Sequence, residues 1–140
     1  MSILNLKDIE KKVRILAKKI NAPESFMPTF GYSKDFALPH IEIDDFGYHY
    51  VIVEQGQELE RKTTLDVENL LYWIFENITF SMASDYELNN RVEGQDPRII
   101  LFTQQQKLLS KIDSKFVDNF KKETDQILRI APFAKPPKFD

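Results

Sequence analysis

At 140 residues the chain is the size of one domain, and its 42% apolar content, with eleven Phe, is enough to bury a core and argues against disorder. It has no cysteine, which excludes disulfides, thiolate nucleophiles and zinc–thiolate sites. A formal charge of −3 argues against a phosphate-tracking surface, and no stretch approaches the ~20 apolar residues that span a bilayer.

Met1 to Lys7 has no cationic segment leading into an apolar run, so no signal peptide is expected and the cytoplasm is the expected location. A helix is predicted from Leu6 to Ile20, because Ile9, Val13, Leu16, Ala17 and Ile20 recur at helical spacing. Asn5 is placed to cap it, and Asn21 with Pro23 ends it. A proline-marked connector carrying Phe26 and Phe30 follows, up to Tyr32.

Pro39 to Asp44 alternates apolar and polar residues, Tyr48 to Glu54 is β-branched and aromatic, and Glu58 to Thr63 can form a further strand. Asp45-Phe46-Gly47 and Gln55-Gly56-Gln57 supply the turns. Thr63 or Thr64 then caps a long helix ending near Asn90, with Leu70, Leu71, Ile74, Phe75, Ile78, Met82 and Tyr86 on its period and Tyr72, Trp73 and Phe80 widening the apolar surface. Asp96-Pro97 starts the next helix, and Asp113 or Ser114 a last one, which Pro132 stops.

These elements predict an α+β fold: an N-terminal helix, a three- to four-stranded antiparallel meander, a long central helix, and two further helices packed on the sheet. One domain is expected over 1–140, with the first helix in 1–22, the sheet in 29–63, the helices in 64–132 and a flexible tail in 133–140.

Signatures of catalysis are scarce, since no phosphate-binding loop, nucleophile elbow or H-E-x-x-H stands in the chain. His40, Glu42 and His49 are the one conceivable metal set, but their spacing is not characteristic of a site, and neither metal nor cofactor is expected. Charge is more informative. From Asp35 to Glu60 there is no Lys or Arg, while Glu42, Asp44, Glu54, Glu58 and Glu60 lie on or beside the strands. Such a surface attracts a basic protein, so these five are the candidate partner-binding residues. Glu58 and Glu60, two apart on a regular strand, are expected on one face.

The stretch from Tyr48-His49-Tyr50 through Glu58-Leu59-Glu60-Arg61-Lys62 to Thr64, then Leu71-Tyr72-Trp73-Ile74-Phe75-Glu76, Phe80-Ser81-Met82-Ala83, Tyr86-Glu87-Leu88, Asn90-Arg91 and Gly94-Gln95-Asp96-Pro97-Arg98, resembles the bacterial Immunity protein 63 family. The resemblance runs from about Tyr48 to Pro132 and departs from the pattern at Gln55 and Ile99, where basic residues are expected. It implies a cytoplasmic antidote that binds a toxin and blocks it, with no catalytic set of its own. Its polar positions Arg61, Glu87, Arg91, Asp96 and Arg98 are candidates for either structure or recognition. A small metal-dependent enzyme using His40, Glu42 and His49, or a regulatory protein-binding module, remain the alternatives.

Overall fold

A computed structural model describes residues 3–135. Its elements run in the order α1 (Leu6–Lys18), a short 3-10 turn (Glu24–Phe26), β1 (Thr29–Phe30), β2 (His40–Asp44), β3 (Gly47–Glu54), β4 (Gln57–Thr64), α2 (Val67–Asn89), α3 (Pro97–Ser110) and α4 (Ser114–Ile130). They fall into two compact units, Met1–Ile78 and Thr79–Asp140. The fold class is α+β. No helix among the described residues is long and apolar enough to cross a membrane.

In the first unit, Asn5 caps α1 by accepting from the Asp8 N–H at 2.9 Å, and Ile9, Val13 and Ala17 form the buried stripe. The sheet has the order β1-β2-β3-β4. It is mixed, which corrects the expected antiparallel meander: β2–β3 and β3–β4 are antiparallel, but β1 runs parallel to β2, with Thr29 opposite His40 and Phe30 opposite Ile41. The nine residues between β1 and β2 make an excursion that returns the chain in the same direction. A hairpin would have reversed it.

The β3–β4 connection is a two-residue turn in which Gln55 (φ 52°) and Gly56 (φ 74°) are both left-handed, as the tightest hairpins require. Gly47 (φ 126°) begins β3 where an added Cβ would stand 2.6 Å from the Thr64 carbonyl oxygen, so only glycine fits there.

Tyr48, Tyr50 and Ile41 are buried on one sheet face. The Tyr48 hydroxyl accepts from the Leu4 N–H at 2.8 Å, tying the lead-in of α1 to the sheet. Tyr50 meets Trp73 of α2 edge-on at 6.5 Å, and Lys62 Nζ lies 5.2 and 5.1 Å from the two ring centroids. Burial pushes the Tyr50 phenol well above its ordinary range, with the charges of Glu60 and Glu76 adding to the effect. Asp66 supplies the cap of α2 by accepting from the Glu68 N–H at 2.9 Å, where Thr63 or Thr64 had been expected; Thr64 instead accepts from the Asp66 N–H. Leu70, Leu71, Ile74, Phe75 and Ile78 are buried.

In the second unit, α3 packs on α4. Asp96 and Asp113 cap these helices as their sequence positions indicate, each accepting from the N–H two residues on. Phe102 of α3 meets Phe120 of α4 edge-on at 6.1 Å. The buried face of α4 is Phe116, Phe120 and Thr124, whereas Ile127 is 45% exposed. Thr124 is tolerated there because its hydroxyl donates to the Phe120 carbonyl at 3.0 Å.

Candidate functional site

Strand alternation and the register place the chemistry-bearing residues of the sheet. Cross-strand partners share a face. Glu42 stands opposite His49, His49 opposite Thr63, His40 opposite Val51 and Val51 opposite Arg61. One face therefore carries His40, Glu42, Asp44, His49, Arg61 and Thr63. The expectation that Glu58 and Glu60 share a face is overturned. The β3–β4 register shifts between Ile52 and Val53, so that Glu60 faces Ile52 while Glu58 faces Val53, with Leu59 as the extra residue of a bulge. Ile52 and Val53 point to opposite sides, and their partners follow them. Glu58 joins Glu42 and Arg61; Glu60 lies 3.6 Å from Lys62 on the tyrosine side.

Two hydrogen-bonded chains organise the first face. In one, Arg61 donates to Glu58 at 2.8 and 3.0 Å and to Glu42 at 3.1 Å, while the buried His40 Nε2 lies 2.7 Å from Glu42. A carboxylate only accepts, so Nε2 carries the proton. Glu42 is held below the usual carboxylate range, first by the His40 hydrogen bond and then by Arg61 against the opposing effect of desolvation. Glu58 is lowered chiefly by Arg61, whose own pKa is raised in return by Glu58 and Glu42.

In the other chain, His49 Nε2 lies 2.7 Å from Asp44 and its Nδ1 2.7 Å from the Thr63 hydroxyl. The same proton logic puts N–H towards Asp44. With the imidazole neutral, Nδ1 then accepts from Thr63. Asp44 is lowered first by His49 and then by the Phe46 N–H, which it accepts at 2.8 Å. This cross-strand set ties three strands together, and it could pass a proton from the hydroxyl to the imidazole. The sequence offered Thr63 only as a possible helix cap; the register reveals its pairing with His49.

His40, Glu42 and His49 thus share a face, but each histidine engages a different carboxylate. Among the described residues no group of three or more His, Cys, Asp or Glu is arranged to hold a metal ion.

The second unit holds the other polar positions. Glu87, buried, is gripped by Arg91 at 3.0 Å through two nitrogens, an i,i+4 pair at the end of α2. Asp96, also buried, accepts from Arg98 Nη2 at 2.9 Å and from the Ala134 N–H at 2.8 Å. Arg98 further donates to the carbonyls of Ala131 (2.8 Å) and Pro132 (2.9 Å) and lies over the Phe133 ring. The tail, expected loose from Phe133, is therefore tied to the start of α3 as far as Ala134; its last residues, 136–140, lie outside the described ones. Glu87, Arg91 and Arg98 line one open cleft of about 230 Å³ with Ser84, Leu88, Pro97 and Leu101. Arg61 belongs to the sheet network, where its bonds go to Glu42 and Glu58.

Asp96 makes a pH prediction. Its carboxyl is held far below the ordinary range, first by the Arg98 hydrogen bond, then by the N–H groups of Ala134 and Arg98. A depressed native pKa means the unfolded chain binds the proton more readily. The stabilisation is complete above the unfolded value of about 4 and is lost as pH falls through the native one. Asp96→Asn should therefore be less stable than the wild type at neutral pH, with the two converging below about pH 4 in denaturant titrations. Parallel stability–pH curves would contradict this assignment.

Comparison with known proteins places the chain in a family. No curated protein and no solved structure matches the chain. The model of the family described as Immunity protein 63 matches residues 44–126, from the end of β2 through most of α4 and more than half of the sequence. The chain belongs to the Immunity protein 63 family.

Proposed function

We propose that the protein is a cytoplasmic antidote that binds a cognate bacterial toxin one-to-one, covers its active site or substrate groove, and performs no turnover of its own. Membership of an immunity protein family supports the antidote role. The observation that carries the binding mode is the sheet face on which Glu42, Asp44 and Glu58 stand; among the described residues of its strands Arg61 is the one Lys or Arg there, and the other partners of these carboxylates are His40 and His49. Such a face favours a partner with a basic surface and speeds encounter with it. A nuclease fits this description, because a groove that holds phosphates must be cationic. Glu54, at the end of β3, and Glu60 contribute carboxylates from the opposite face.

The test is co-expression with the protein encoded immediately upstream. Growth should be rescued, and the two should co-purify in equimolar amounts. Rescue by catalytic quantities, abolished by His49→Ala in a folded variant, would show instead that the Thr63–His49–Asp44 set acts chemically.

A further inference from the structure

We propose that Phe36 is the apolar anchor of the toxin-binding surface, seating in an apolar pocket of the partner bordered by lysine or arginine side chains; the inference rests on the immunity reading above. Phe36 is 85% exposed, more than any other aromatic ring among the described residues. The ring stands in a segment of uncommon backbone conformation. Asp35 (φ 58°) and Ala37 (φ 57°) on either side are left-handed, as is Gln55 (φ 52°) in the adjoining hairpin turn. Among the described residues only one other non-glycine, Asn21, adopts a positive φ. Left-handed backbone at residues with a Cβ is costly, and it persists where surrounding contacts enforce it, often at functional sites.

Those contacts are present. Phe36 forms a bridge with Glu54, the Ala37 N–H donates to the Val53 carbonyl at 3.0 Å, and Asp35 accepts from the Gly56 N–H at 2.8 Å. The ring is thus presented from a pinned segment, so less ordering entropy is lost on binding than with a free loop. Leu59, pushed out by the bulge, is 58% exposed on β4 close to the same turn.

The surroundings specify the partner's chemistry. Asp35, Glu54 and Glu58 belong to this end of the sheet, within the stretch that has no Lys or Arg from 35 to 60. An apolar centre with a polar rim is the usual anatomy of a binding hot spot, and a rim in which carboxylates outnumber the cations Lys34 and Arg61 favours a basic partner. Phe36 also precedes residues 44–126, the part matched by the family model, so it can set which toxin is bound without altering the family pattern.

The test uses the purified protein encoded immediately upstream as the probe, with surface-immobilised wild type, Phe36→Ala, Phe36→Tyr and Phe46→Ala. Phe46, 79% exposed in the β2–β3 turn, is the control. Phe36→Ala should weaken binding about 30-fold, mostly through faster dissociation, with an unchanged melting temperature. Phe36→Tyr and Phe46→Ala should stay within about threefold of wild type. Independently of any loss of stability, a photoreactive phenylalanine at position 36 should crosslink to the probe, and one at position 46 should not. Wild-type binding with Phe36→Ala unchanged, or no crosslink from position 36, overturns the anchor and leaves the immunity reading standing. No binding by the wild type overturns the immunity reading, and the anchor with it.

Discussion

Replacing Glu58 by lysine is expected to slow association with the toxin at least about tenfold at low salt, whereas the same change at Glu60 should have a much smaller effect. The difference follows from the β-bulge. Glu58 lies with Glu42 on the carboxylate-bearing face, and Glu60 lies on the face that carries Tyr50 and Lys62. Glu58→Lys removes one of that face's carboxylates and adds a second cation beside Arg61. The field that steers a basic partner is then largely cancelled. Screening acts over ~10 Å at 0.1 M salt, so the defect should shrink as salt is raised, and dissociation should change less than association. The fold should survive, because an exposed ion pair contributes little. Stopped-flow association of the purified pair across a salt series measures the effect. Equal slowing by the two substitutions would remove the recognition role from this face.

Phe75→Ala is expected to destabilise the protein by about 3–5 kcal/mol, against a total of about 5–15 kcal/mol for a domain of this size. Phe75 is 0% exposed, among the largest fully buried side chains of the chain. Truncation loses the transfer energy of the ring and leaves a cavity that close-packed neighbours fill only in part. Phe80, five residues on, is 49% exposed, and Phe80→Ala should cost about 1 kcal/mol or less. Urea unfolding of both variants checks the contrast. A Phe75→Ala variant close to wild type in midpoint would mean that α2 does not carry the core. In cells the same variant should lose protection through low abundance, while the little protein that folds binds normally.

That pair of phenylalanines shows how far the sequence reads. Both sit on α2, and both belong to its apolar surface by composition. Helical period placed Phe75 with Leu71, Ile74 and Ile78 and left Phe80 to widen the stripe, but a period cannot say how wide a stripe the neighbours cover.

What the sequence by itself determined is what depends on a few consecutive residues. The α1 stripe and its Asn5 cap, the Asp96-Pro97 start of α3, the Asp113 cap and the Gln55-Gly56 turn are all written within five or so positions, because helices and tight turns satisfy their hydrogen bonds locally. The family pattern was legible too, through ordered polar and aromatic positions from Tyr48 onward. Only the tertiary structure decided the rest. Two residues, Thr29 and Phe30, show no period, so the parallel strand β1 exists only by its pairing with β2. The bulge at Leu59 depends on what β3 presents opposite, and it sent Glu58 and Glu60 to different faces. Thr63 met His49, and His49 met Asp44, because of register across three strands. Asp96 reached Ala134 across 38 residues of chain. Each of these rests on pairing between distant segments. A side chain's partner across a sheet or a closing loop is set by register and closure, which local residue order leaves undetermined.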